Sequence, residues 1–263
     1  SGATASILNS MVDATGALAV AAFTSGRIVS RNTNNSSAES ETLGSKGISV
    51  GGVLSQNKVS SAAKAFIDFE IESEFNPNAY TGSQVITADD GISVTASDTA
   101  EINAEILLES SAAGVTEAQG FEFAITLNDV RGGAEAFIDD AILSSSDGSI
   151  LVDALASAIL ISQTEVGLET ATTGGAGYNG LSTSSLAVNG VLATNLVLGG
   201  AKAYIEDSTV TTTDIVNDDS GNVTVNAENN AQLNATVLNT VSAGGDAVGV
   251  TLAFNTIGWD SQN

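Results

Sequence analysis

One block of sequence returns down this chain with its internal spacing unchanged. Asn57-Lys58-Val59 leads to Ala65-Phe66-Ile67-Asp68, Asn128-Asp129-Val130 to Ala136-Phe137-Ile138-Asp139, and Asn195-Leu196-Val197 to Ala203-Tyr204-Ile205-Glu206, each without a gap. The copies stand 71 and 67 residues apart, and Asn255-Thr256-Ile257 opens a fourth 60 residues later. A chain that repeats itself in this way is an array, in which each unit shares a core with its neighbours.

The rest of the unit repeats too. Ile92-x-Val94-x-Ala96 returns as Ile150-x-Val152-x-Ala154 and as Val223-x-Val225-x-Ala227. A turn signal precedes each copy: Asp90-Gly91, Asp147-Gly148 and Ser220-Gly221. The joining segments differ in length, as loops on a repeat structure do. The chain therefore divides into a divergent, shortened repeat at 1–56, repeats at 57–127, 128–194 and 195–254, and the start of another at 255–263. Ala5-Ser6-Ile7-Leu8-Asn9 aligns with Ala235-Thr236-Val237-Leu238-Asn239, so the chain is expected to open late in a unit. Ala22-Phe23-Thr24 aligns with Ala253-Phe254-Asn255. Neither end reads as a polar cap, so further sequence or other chains are expected to cover both.

The blocks alternate with a period of two. In Phe121-Glu-Phe123-Ala-Ile125-Thr-Leu127 every second residue is large and apolar, the pattern of a strand with one face buried. Leu151 to Val166 has helix-forming content, but it aligns with two plainly alternating copies and reads as strand. About four strands of six to nine residues are expected per unit, broken at Arg131-Gly132-Gly133, at Asp-Gly, near Asn229-Asn230 and at Gly244-Gly245.

Two all-β architectures fit. In a β-solenoid of about 60–70-residue repeats, Asn57, Asn128, Asn195 and Asn255 would occupy equivalent turns and bond to one another, with Ile67, Ile138 and Ile205 as a core row. In a string of tandem small β-sandwiches each unit would fold alone. The solenoid is favoured, because the apolar residues are small and aromatics make up only 5% of the chain. A single Pro leaves nearly every backbone N–H free for a ladder.

The net charge of −24 argues against nucleic acid or an anionic membrane as partner. The longest apolar run, Ala17 to Phe23, is too short for a helix to cross a bilayer. With neither His nor Cys, most zinc sites and nucleophile–base arrangements are excluded.

The two repeated blocks together resemble the repeats of giant secreted bacterial β-strand-repeat proteins, also called haemagglutinin-like or adhesin-like. The resemblance covers most of residues 48–263. It implies an extracellular or cell-surface location and a stalk, adhesive or filament role. Its motifs are structural and carry over no catalytic residue.

The acidic residues at the end of the first block are candidates for chemistry. Asp68, Asp139, Asp140, Glu206 and Asp207 could share calcium if stacked on neighbouring coils, since carboxylate oxygens suit that ion. The chain has neither an EF-hand loop nor a Gly-Gly-x-Gly-x-Asp repeat. Paired carboxylates could also hydrolyse a polysaccharide, but a catalytic residue has no reason to recur in every unit. Phe66, Phe137 and Tyr204 share one position and point outward if the neighbouring Ile row is the core. Such a row needs covering by a loop or another chain, so these residues and Trp259 are assembly candidates. No cofactor other than calcium is expected. The sequence reads as a non-enzymatic structural segment: a rod, stalk or fibre that associates with copies of itself. The alternative is an adhesin module that grips carbohydrate or a host surface through its variable loops.

Overall fold

The computed structural model describes residues 2–42, 44–70, 82–173, 183–213 and 221–258. Among them every regular element is a strand, numbered here along the chain. The first coil holds β1 (Gly2–Leu8), β2 (Val12–Ala14) and β3 (Leu18–Glu39). The second holds β4 (Lys46–Asp68), β5 (Val85–Ala88) and β6 (Ile92–Gly114). The third holds β7 (Glu117–Asp139), β8 (Ile142–Ser145) and β9 (Ile150–Thr172). The fourth holds β10 (Ser184–Val197), β11 (Gly200–Glu206), β12 (Thr209–Thr212) and β13 (Val223–Ala243), and β14 (Asp246–Ile257) follows.

Each coil visits three sheets in turn. Sheet A collects β1, β4, β7, β10, β11 and β14, sheet B the short β2, β5, β8 and β12, and sheet C β3, β6, β9 and β13. All pairings are parallel. The fold is a β-solenoid, and the tandem-sandwich alternative falls because every sheet is shared between coils.

In cross-section, sheets A and C are long and lie face to face. At one end sheet B closes them into a triangle. Its interior is the largest apolar cluster, built on Ile67, Ile86, Ile92, Ile138, Leu143 and Ile150. Away from sheet B, sheets A and C alone form a narrow arm. It holds two smaller clusters, one around Ile102, Val130 and Leu160, the other around Ile106, Leu108 and Val166. At the far tip β6 passes into β7 across Val115 and Thr116. A 23-residue strand spans about 75 Å, whereas each coil adds only about 4.8 Å along the axis.

The corner from sheet A to sheet B is set by residue type. Asn9, Asp140 and Asp207 follow β1, β7 and β11 with φ of 50°, 51° and 42°. Asn and Asp enter this left-handed region at low cost. Asn9 also uses its side chain at the corner, where Oδ1 accepts the Glu70 N–H at 2.9 Å.

Several expectations are corrected. The second and third coils have three strand segments each, two of them long, rather than four short ones, and the fourth divides its sheet A strand at Leu198-Gly199 into β10 and β11. β7 runs unbroken through Arg131-Gly132-Gly133, and β13 through Asn229-Asn230. Gly132 serves close packing instead of a turn, because a Cβ there would stand 1.7 Å from Ser61 O and 2.7 Å from Asp98 Oδ2. The asparagine row lies within strands and not at turns. Ala5 pairs with Ala65 in sheet A, while Ala235 belongs to sheet C opposite Ser162. Ala22 likewise pairs with Ala96 in sheet C, away from Ala253. In the first coil β3 pairs with β6 over all its residues from Leu18 to Glu39.

The largest correction concerns the faces of sheet A in the arm. Phe121, Phe123, Ile125 and Leu127 point outward, and Glu122, Ala124, Thr126 and Asn128 fill the interior. The neighbouring strands agree: Ala187, Asn189 and Val191 face in, while Leu186, Val188 and Leu192 face out. The interior is too narrow for large side chains on both sheets, so sheet A contributes small and polar ones.

Candidate functional site

The asparagines at the head of the first block form a ladder. Asn57, Asn128, Asn195 and Asn255 lie in register on adjacent strands of sheet A. Asn57 Nδ2 donates to Asn128 Oδ1, Asn128 Nδ2 to Asn195 Oδ1, and Asn195 Nδ2 to Asn255 Oδ1, each at 2.9 Å. Asn195 also donates to Asn234 O of sheet C at 3.0 Å. Asn128 and Asn195 are fully buried. A buried amide is costly unless bonded, and here each neighbour supplies the partner.

Nine residues along the same strands a second ladder stands on the outer face. The Phe66 and Phe137 rings are stacked 5.0 Å apart, and Phe137 and Tyr204 4.9 Å apart, with interplanar angles of 2°. Inward of them Ile67 and Ile138 are fully buried, and Ile205 packs beside them. The rings cover one another, leaving Phe137 only 5% exposed. Lys64 Nζ lies 4.8 Å from the Phe137 centroid and Lys202 Nζ 4.1 Å from that of Tyr204. Both lysines pair with Glu135 from the strand between them, at 3.4 and 3.7 Å. Burial, then the Glu135 charge, push the Tyr204 hydroxyl up to about 12, so it stays protonated. Trp259 lies outside the described residues.

The carboxylates close the block at the corner. Asp68, Asp139 and Asp140 offer oxygens within 4.8 Å of one another, all half-buried. Burial first, then the charges of Asp139, Glu70 and Asp140, raise the Asp68 pKa, and Lys64 opposes the rise. Glu206 pairs with Asp139 in the next coil, and Asp207 follows at the equivalent corner to Asp140. Oxygen donors of this kind suit a hard divalent cation.

Sequence reasoning missed two features. Glu122 is fully buried in the arm, and neither carboxylate oxygen has a hydrogen-bond partner. It stands in register between Gly51 and Asn189. Burial raises its pKa to about 7, Ser110 beside it works against the rise, and the Glu109 charge adds to it. Aligning the coils by the repeat spacing would have shown a lone acid among Gly51, Asn189 and Gly249. The second missed feature is the apolar outer face of sheet A. It was hidden because alternation identifies a two-faced strand without saying which face is inside.

Two open grooves run over the outer face of sheet C. Glu105, Leu107, Glu165 and Leu238 line one, and Glu109, Gly167, Glu169 and Thr240 the other. Both are acidic, and neither is lined by an aromatic ring. No family model, curated protein or solved structure matches this sequence.

Proposed function

We propose that this chain is a non-enzymatic structural segment of an extracellular bacterial repeat protein, a stiff ribbon that lengthens coil by coil into a rod, stalk or fibre. The observation that carries the reading is the unbroken asparagine ladder Asn57–Asn128–Asn195–Asn255. It runs along the axis within parallel sheets whose backbone ladders run the same way. Stretching such an object along its axis means breaking many bonds together. The large acidic charge keeps it soluble, and the axial ion pairs Arg27–Glu101, Arg31–Glu105 and Lys64–Glu135 relieve repulsion between coils. Each pair is exposed and contributes little by itself.

Electron microscopy of the purified chain, with millimolar calcium and with chelator, tests the reading. Ribbons about 75 Å wide with an axial repeat of about 4.8 Å are the expected result. Isolated particles under both conditions, together with binding to a defined sugar on a glycan array, would overturn it in favour of an adhesin module.

A further inference from the structure

Among the described residues, the outer face of sheet A along the arm is apolar and unpartnered. Its rows run along the axis, with Val50, Phe121, Val188 and Val248 forming one of them. Half or more of the residue surface is exposed at Val50 (67%), Leu54 (66%), Phe123 (52%) and Val250 (54%). From the Ile48 row to the Gln56 row the only charge is Asp246, at one corner. The other broad face could hardly differ more: sheet C presents Glu101, Glu105, Glu109, Glu165 and Glu169 to solvent. Contiguous apolar patches of several hundred Å² on a soluble protein mark interaction surfaces.

We infer that this face is the docking surface for the same face of a second copy, joining two solenoid arms back to back. Area supports it. Four strands about 4.8 Å apart, over nine residues of about 3.3 Å rise, cover roughly 550 Å² of flat surface. Two copies would bury roughly 1,100 Å², which reaches the size of a specific interface. Charge supports it as well. Two chains of −24 repel each other over most of their surfaces, and this face lets them meet without setting carboxylate against carboxylate. An anionic lipid surface offers no such relief.

Shape agrees with self-pairing. Gly52, Phe123, Gly190 and Val250 make one row. The Phe123 ring lies over Gly190, 3.1 Å from where a Cβ would stand, but a Cβ at Gly52 would meet only Phe123 O at 3.9 Å. The row therefore offers a knob beside an open hole. A two-fold axis lying in the plane between the two sheets presents knobs and holes of the same axial repeat to each other, the self-complementarity an isologous interface requires. The aromatic ladder of Phe66, Phe137 and Tyr204 is on the same outer face at its other end and takes no part.

Sedimentation velocity from 1 to 100 µM decides the matter, comparing the wild type with the double variant Val50→Glu, Val250→Glu. The wild type should move from the mass of one 26.3 kDa chain to that of two. The variant should lose at least tenfold in affinity while its strand circular dichroism is unchanged. If that variant unfolds, Leu54→Gln with Leu252→Gln provides the same readout more gently. Leu107→Glu, on sheet C, should pair as the wild type does. Wild type that stays a single chain at 100 µM overturns the inference, as does a folded face variant that pairs unchanged. Flotation of single-chain wild type with phosphatidylcholine vesicles would reassign the face to lipid. End-to-end stacking uses the coil ends, which the face variants leave intact, so a folded face variant that assembles unchanged overturns this inference and leaves the ribbon reading standing.

Discussion

Asn128 gives its amide to Asn195 Oδ1 and takes that of Asn57 on its own Oδ1, inside a sheet interior that water does not reach. Replacing Asn128 by Ala strands one buried donor and one buried acceptor at once. The expected loss is about 2–4 kcal/mol of unfolding free energy. Asn57→Ala leaves a single orphan, on the neighbouring Asn128, and should cost less. Urea unfolding of the two variants checks both the size and the order.

Glu122 makes stability depend on pH in an unusual direction. Its folded pKa of about 7 lies above the ordinary 4.5. The folded state therefore binds the extra proton between these values, and stability falls as pH rises through that window. Facing it from β4, β6, β9 and β10 are only uncharged side chains, Gly51, Leu108, Leu168 and Asn189 among them; the Glu109 charge lies on the outer face of β6. Glu122→Gln should leave stability at pH 5 nearly unchanged and raise it by about 2–3 kcal/mol at pH 8. Thermal melts at the two pH values measure this; equal gains at both would refute it.

Two glycines of similar appearance should respond oppositely to the same change. A Cβ at Gly132 collides with the Ser61 carbonyl, and one at Gly167 meets nothing within 4 Å. Gly132→Ala is expected to cost more than 2 kcal/mol, or to disrupt folding, because backbone has to move. Gly167→Ala should be neutral or stabilise by up to about 1 kcal/mol. Melting temperatures of the pair provide the comparison.

At the corner, Asp68 carries a raised pKa, first because it is partly buried and then because Asp139, Glu70 and Asp140 stand near it. That shift lowers stability above its folded pKa and returns it as acid protonates the group. Asp139→Asn should accordingly raise the melting temperature at pH 7. Millimolar calcium should raise that of the wild type and do less for the variant. Chelator after dialysis should reverse the calcium effect.

How much of this was written in the sequence depends on what each signal reports. The repeat spacing put Asn57 opposite Asn128 and Asn195, because parallel coils translate a fixed offset directly into register. The solenoid followed from that together with the small apolar residues. Strand number did not follow: Gly132 and Asn229-Asn230 carry turn chemistry yet stay in strands, since close approach of neighbouring coils asks for the same small or polar residues. Nor did the direction of the arm strands. Phe121-Glu-Phe123-Ala-Ile125 reads as apolar face inward until the gap between sheets A and C is known. Only the narrowness of that gap turns Glu122 in and Phe123 out, and narrowness comes from the opposing sheet.

Neighbouring coils differ in length, yet their ladders stay aligned. Ile86 stands 74 residues after Val12, whereas Ile142 stands only 57 after Val85. The connections between strands, at the corners and at the far tip, absorb the whole difference. For a lineage of such chains this divides the genetic text into two kinds. Codons gained or lost between strands change nothing that the ladders feel. One codon gained within a long strand turns every later side chain of that strand to the wrong face. Descendants should therefore diverge in length at the corners and keep their long strands free of insertions, with substitutions inside the arm arriving as matched columns across coils.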